Sequence, residues 1–482
     1  MPVYSRSIGT TRSNAFPAWR AAMSAADTLY YVGTSTPENA PALPGMPTQF
    51  GASGAGNFGA GWDVMSGYSS GTLIESLGGA FGSMVYGVGG HTRLQNQLLR
   101  FDLNQDDPTF SWWQQPTWVT SDTAGADLYY SPSEAAALVA GPRGTAARIR
   151  LDTNETADGA AWDRQFPVAA NGWIFPRKMV TGQMGNGVPH GHRYHSTTFV
   201  PSEVTGGDPL YLAILGPQGP FAQSYMPDGV TDAEWFDASA LLSGSRRWPY
   251  HFKNVRTGAW TVHQWQPPEA SIGGFGGPKL GLFRDLRRVY FVGAGTRGGA
   301  GSSGFYHWQF TDSGHTVSSW TGGQLGVGRY ASGAWSDGDP LGRHFAIFPS
   351  DQFDGRLVVY NFDAGTSFYV NLAPQGYSHD PNDEQVGFSY DAANRRVFIV
   401  RRNNTTFDLG YWVVTVPNTL TDTAAYVATF RTLALSDPAM ESSHLSNSFQ
   451  ATYFYNKTRF HPGLGVILLP FAQVRQLAII PS

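Results

Sequence analysis

The chain contains no cysteine. That absence excludes a disulfide framework, a thiolate zinc site, an iron–sulfur cluster and a cysteine nucleophile. Charge is also scarce: 14% of the 482 residues are Asp, Glu, Lys or Arg, against about 25% in an average soluble domain. The basic residues are nearly all Arg, with lysine confined to Lys178, Lys253, Lys279 and Lys457. A net charge of −4 offers no attraction to nucleic acid or to an anionic membrane, so neither is expected as a partner. The longest apolar stretches, such as Val466–Phe471, are far too short to cross a bilayer as a helix. The first residues lack the apolar core of a secretory signal. The expectation is therefore a soluble protein made in the cytoplasm without a leader.

What the chain does have is 58 Gly, 31 Pro and 14% aromatic residues. That much aromatic surface to bury excludes disorder. Helical periodicity is nearly absent; the candidates are Pro17–Asp27 and Ser133–Ala140. Elsewhere short β runs alternate with Gly, Asn, Asp and Pro, as in an all-β sandwich, barrel or propeller.

A repeat chooses among these. Strand-sized runs at 71–78, 83–90 and 97–103 are closed by Trp112, and runs at 276–283, 288–294 and 304–310 are closed by Trp320. Comparable sets lie at 331–336, 343–348, 356–362 and 368–370, and at 385–390, 396–400 and 410–416. A last set reads 448–455, 465–469 and 474–480, and a more decorated one holds 194–200, 210–215 and 233–237. The spacing is close to that of kelch-type repeats of about 50 residues. Each unit offers a sheet apolar on both faces, which is stable only between neighbours, and a ring of such sheets protects its edges. The expected fold is all-β: a β-propeller of six four-stranded blades with loop insertions at about 118–187 and 216–260. It becomes seven if the N-terminal or 118–187 segment forms another blade, and two tandem sandwiches are the alternative. Residues 1–60 are expected to be an N-terminal docking arm and 61–482 the propeller.

Gly89-Gly90-His91, then Asn96, Leu99–Leu103 and Trp112, resemble a blade of kelch or galactose-oxidase central domains, which pair a diglycine with a later aromatic on the outer strand. Phe388–Val400, with its Asp391 to Asn394 turn, is similar to a hairpin of many propellers. Trp19–Met23 followed by Gly33-Thr34-Ser35 resembles uncharacterised kelch-like proteins of bacterial viruses and prophages. The resemblance covers roughly 60–482 and implies a propeller; propellers host unrelated activities.

Galactose-oxidase chemistry needs a Tyr crosslinked to a Cys, so the missing cysteine excludes that copper–radical cofactor. Sialidase-type propellers carry Ser-x-Asp-x-Gly-x-Thr-Trp boxes. The nearest matches, Asp312-Ser313-Gly314 and Asp363–Phe368, are degraded, and Asp-x-Gly is common at hairpin tips. His190, His192 and His195 form the one metal-like cluster. On a continuous strand His195 would point away from the other two, so they are weak candidates and no cofactor is expected. The aromatic and Arg-rich decoration is more informative. Tyr129, Tyr130 and Trp173, with Arg246, Arg247, Trp248 and Tyr250, fall within the two insertions, and such loops on a rigid scaffold grip sugars or protein surfaces. The same residues could instead cover a blade flank or an oligomer contact, so a homo-oligomer is left open.

Taken together, these features and the resemblance imply a non-enzymatic module on a bacteriophage virion, tail-associated, that attaches to other virion tail proteins or binds a host cell-surface glycan or protein receptor. A carbohydrate-active hydrolase or lyase, with two carboxylates in one cleft, is the alternative reading. An intracellular kelch-like scaffold is the second alternative.

Overall fold

The computed structural model describes residues 15–34, 70–87, 98–114, 197–214, 248–265, 279–292, 305–320, 325–327, 332–350, 355–379, 386–402, 409–437, 457–470 and 476–482. Among the described residues, α-helix is confined to the single turns α1 (Ala18–Ala21) and α2 (Ser202–Thr205). The first strand, β1 (Thr28–Val32), belongs to the last blade. Blade 1 is β2 (Ser70–Ile74), β3 (Ser83–Gly87), β4 (Leu98–Asp102) and β5 (Phe110–Gln114). Blade 2 is β6 (Thr197–Val200), β7 (Leu210–Ile214), β8 (Trp248–Asn254) and β9 (Trp260–Trp265). Blade 3 is β10 (Lys279–Phe283), β11 (Arg288–Val292), β12 (Phe305–Thr311) and β13 (Gly314–Ser319). Blade 4 is β14 (Ala334–Trp335), β15 (Phe345–Pro349), β16 (Arg356–Asn361) and β17 (Thr366–Asn371). Blade 5 is β18 (Gly387–Asp391), β19 (Arg396–Arg402), β20 (Leu409–Thr415) and β21 (Val427–Thr432). After β22 (Ala434–Leu435), blade 6 is β23 (Arg459–His461), β24 (Val466–Pro470) and β25 (Gln476–Ile479). It is completed by β1, antiparallel to β25, with β22 parallel to β1 on the outside.

Each blade is an antiparallel meander buried on both faces, which explains near-continuous apolar strands where a half-exposed sheet would alternate. Along β15, Phe345 and Ile347 pack against blade 5, whereas Ala346 and Phe348 pack against blade 3. Along β24, Val466 and Leu468 meet blade 1 and Ile467 and Leu469 meet blade 5. Six apolar clusters result, one for each seam between adjacent blades. Because the cluster joining blade 6 to blade 1 closes the circle, there is no place for a seventh blade, and the tandem-sandwich alternative fails. Gly281 is dictated by this packing: a Cβ there would lie 1.8 Å from the Trp335 ring of the next inner strand.

The strands of blades 1 and 4, and the first three of blade 3, fall where the repeat places them. Elsewhere the match is partial, and the repeat gives no run for β9 or β13. The inner strand of blade 6 is β23, whereas the expected run 448–455 lies outside the described residues. The third strand of blade 2 is β8, and 233–237 likewise lies outside. The outer strand of blade 5, β21, escapes the repeat because it is largely exposed and carries no apolar run. Of the segment expected to be an arm, α1 and β1 are built into the ring. Of the two helical candidates, 17–27 yields the single turn of α1, and 133–140 lies outside the described residues.

The chain passes from inner to outer strand in every blade but the last. Its first-to-second and third-to-fourth turns therefore share one face of the disc, and its second-to-third and blade-to-blade connections share the other. On the first face, charged side chains bridge the seams. Arg287 Nε donates to Val204 O of blade 2 at 2.8 Å, and Arg343 Nη1 to Pro417 O of blade 5 at 2.6 Å. Arg396 Nη1 donates to Ser482 O at 2.7 Å, and His461 Nε2 to Phe81 O of blade 1 at 2.8 Å. Between blades 3 and 4, His344 lies 2.6 Å from Asp363 through Nδ1 and 2.9 Å from Asp285 through Nε2. Both contacts are donated only by the imidazolium. Burial opposes that charge, but the bonds to Asp363 and Asp285 outweigh it and hold the His344 pKa above its usual value.

Two outcomes are expected. Deleting 476–482 removes the strand between β24 and β1, exposing an edge and the core of blade 6; the product should be insoluble, as judged by the soluble fraction against the full chain. For His344, a raised folded pKa means that its stabilisation is complete below the unfolded value of about 6.5 and is lost as pH rises through the folded value. Urea unfolding of His344→Gln against the parent should show a larger deficit at acidic than at alkaline pH. An equal deficit at both would contradict the clamp.

Candidate functional site

The two faces differ in the chain they carry. On one, strands are joined by turns as short as 284–287, 312–313, 392–395 and 462–465. On the other, strand ends are joined by 33–69, 88–97, 115–196, 215–247, 266–278, 293–304 and 436–458. We call these the short-turn face and the loop face. The chain's first described residues lie on the short-turn face: Ala18 N donates to Asp106 at 2.7 Å, Trp19 Nε1 to Leu103 O at 3.3 Å and Arg20 Nε to Leu464 O at 2.6 Å. The expected arm is thus divided, with the described residues before β1 on the short-turn face and β1 ending at the loop face.

Tyr129, Tyr130, Trp173, Arg246 and Arg247 lie outside the described residues, as do His190, His192 and His195. Among the described residues no group of His, Asp and Glu is arranged to hold a metal. Trp248 is the first residue of β8, at its loop-face end, in register with Trp265 of β9. Tyr250, two residues on, is buried between blades 2 and 3, edge-on to Phe252 and Trp308. Its hydroxyl lies 2.8 Å from His315 Nε2 of β13, and burial raises its pKa to about 12. The two Asp-x-Gly matches are hairpin tips with structural duties: Asp312 pairs with Arg287 at 2.8 Å and Asp363 holds His344.

A second constellation went unrecognised in the sequence. The inner strands β2, β6, β10, β14, β18 and β23 begin at the loop face and line the ring axis. At or near its start each brings a polar residue: Ser70 and Thr72, Thr197, Lys279, Ser332, Ser389, and Lys457 with Thr458. None of these is more than 6% exposed. Thr197 Oγ1 lies 2.8 Å from both Thr72 Oγ1 and Ser70 Oγ, and Ser332 Oγ accepts from Phe388 N at 2.7 Å. Arg459, partly exposed, donates Nη2 to Gly71 O at 3.0 Å and Nη1 to Thr458 O at 2.9 Å. The inner strands approach so closely that a Cβ at Gly387 would sit 1.9 Å from Thr458 Oγ1. Thr458 Oγ1 and Ser389 Oγ are buried without a hydrogen-bond partner. Burial lowers the pKa of Lys279 and of Lys457 to about 7. The available signal was two of four lysines sitting next to apolar strand runs, where a solvated lysine has no place.

At the short-turn end of the axis, charged side chains from four blades meet. Arg284, after β10, donates Nε to Asp337 of blade 4 at 2.8 Å and Nη1 to Glu75 of blade 1 at 3.0 Å, with Glu203 of blade 2 at 3.7 Å. One guanidinium therefore ties four blades together.

Tyr250 supplies a direct check on the aromatic patch. Tyr250→Phe should cost about 1 kcal/mol of stability, the net value of one buried hydrogen bond, in chemical denaturation, while partner binding stays unchanged. A loss of binding without a loss of stability would return Tyr250 to the surface patch.

No helix among the described residues is long and apolar enough to cross a membrane. Compared with known proteins, the chain matches no family model and no curated sequence. The fold is a six-bladed β-propeller whose last blade is completed by β1.

Proposed function

We propose that this propeller is a non-enzymatic binding module of a bacteriophage virion, tail-associated, whose loop face contacts a host cell-surface glycan and whose short-turn face attaches to other tail proteins. The observation that carries this reading is the asymmetry of the disc. The long connections leave from one face, and the opposite face is held by short turns and by charged bridges across the seams. Long loops on a rigid scaffold are where binding residues concentrate. The absence of cysteine and the kelch-like blade signature ending at Trp112 agree with it, as does the likeness of Trp19–Met23 and Gly33–Ser35 to proteins of bacterial viruses. Trp112 lies on the outer strand of blade 1, where such blades carry their aromatic.

The patch residues suit the task. Aromatic side chains with two torsions lose little entropy on binding, and Arg forms bidentate hydrogen bonds with carboxylates. Trp248 stands at the loop-face end of its strand, directly after Arg246 and Arg247. Truncating an anchoring Trp or Arg typically costs about 2 kcal/mol or more, roughly thirtyfold in affinity. The double variant Trp248→Ala, Arg247→Ala is therefore expected to bind host cells at least thirtyfold more weakly, with its circular dichroism and its incorporation into particles intact. Loss of incorporation alone would make the loop face a structural joint, and no change in either assay would remove the patch from the binding surface.

A further inference from the structure

We propose that the short-turn face carries a docking site at the seam between blades 6 and 1, built from Phe16, Arg20 and Phe81, for a segment of another protein that presents a carboxylate beside an apolar side chain. It rests on the reading that this face attaches to other tail proteins.

Three observations converge. First, Phe16 is 47% exposed, one of three large apolar side chains left so among the described residues. Its ring lies 6.3 Å from that of Phe81, on the turn between β2 and β3, so two aromatic rings stand together at the seam. Second, the Arg20 guanidinium sits over the Phe16 ring, 5.0 Å from its centre. Its Nε is spent on Leu464 O, on the turn between β23 and β24, at 2.6 Å, while Nη1 and Nη2 donate to no described residue. Arg284, Arg287, Arg343 and Arg396, on the same face, each hold a carboxylate. Arg20 holds none: burial lowers its pKa and no neighbouring charge raises it. Third, the platform is fixed. Ala18 N donates to Asp106 and Trp19 Nε1 to Leu103 O on one side, and His461 Nε2 donates to Phe81 O on the other. The neighbouring Ala21 and Ala22 are exposed and carry only a methyl group, which leaves the guanidinium open to approach.

Aromatic and Arg side chains are what anchor protein interfaces. A guanidinium held through Nε and one ring face keeps its Nη groups as a preorganised fork, the geometry that takes a carboxylate. The adjacent rings of Phe16 and Phe81 then receive an apolar side chain. A nucleic acid is disfavoured, because it needs many phosphate contacts and the site supplies one cation on a chain of net charge −4.

The test titrates the purified full chain into two fluorescein-labelled peptides, Gly-Asp-Phe-Glu-Leu-Gly and its amide counterpart Gly-Asn-Phe-Gln-Leu-Gly, and reads anisotropy. The acidic peptide should bind saturably and the amide peptide roughly tenfold more weakly. Phe16→Ala and Ala21→Glu, at exposed positions, should each weaken the acidic peptide by roughly tenfold with Tm unchanged. Arg20→Gln should bind both peptides alike, an outcome that a purely structural arginine would not produce. Equal binding of the two peptides by the parent, or variants that bind as the parent does, overturns the site. Self-association of the parent that Ala21→Glu abolishes would make the occupant a second copy of this chain and overturn the partner named here. Incorporation into particles separates this site from the reading it rests on. A parent absent from particles that still discriminates between the peptides leaves the site standing and removes the tail assignment. A parent that is incorporated, with Phe16→Ala and Ala21→Glu incorporated equally well, sinks the site and leaves that assignment intact.

Discussion

Pairing between the first and last strands is the constraint on which the rest of the molecule depends. Leu29 to Val32 lie in antiparallel register with Ile479 to Gln476, so blade 6 is made from both ends of the chain. A blade apolar on two faces has no stable existence alone, and six of them are satisfied only when the circle is complete. Asp27 reinforces the junction. Its N–H donates to Ile480 O at 2.9 Å, and its carboxylate accepts from the Ser482 N–H at 3.1 Å and from the Tyr411 hydroxyl of blade 5. Closure is therefore a local hydrogen-bonding event with a global consequence, since it covers the last open edge and the last open faces together.

Within the ring, apolar and polar forces are separated in space. The seams are filled by apolar residues such as Ile347, Val359 and Ile399 at 0% exposure, and supply non-directional burial. The short-turn face supplies direction, through Arg287, Arg343, Arg396, His344 and His461, each reaching from its blade to a neighbouring blade or to the chain end. Exposed ion pairs contribute little to stability. Those that end on backbone carbonyls or bridge several blades serve instead to set how adjacent blades sit. Arg284 is the clearest case, because its carboxylates come from three other blades.

The two ends of the axis are consequently unlike. One holds a single guanidinium among three carboxylates. Toward the other, the inner strands carry buried polar residues such as Thr72, Thr197, Ser332 and Thr458. A scaffold rigid on one face and elaborated on the other can carry long connections without loss of register, because each inner strand is fixed by its neighbours and by the turn beneath it.

Much of this was legible in the sequence. The missing cysteine excluded thiolate metal sites and a Tyr–Cys copper–radical cofactor, and the apolar runs with glycine-rich turns identified a propeller, because burial on both faces leaves a continuous hydrophobic signal. Strands such as β11, β15 and β19 could be read directly for that reason. β21 could not, since an outer strand faces solvent and its pattern is weak, and β23 could not, since three residues are too short to register. The patch named from composition was divided by the fold: Trp248 starts a strand at the loop face, whereas Tyr250, two residues away on the same strand, is spent on the seam with blade 3. Sequence alone determined the class of fold, its repeat and the chemistry it cannot perform. Which blades meet was decided only by the tertiary structure, because β1 is brought against β25 by ring closure, a long-range event that leaves no local trace in the chain.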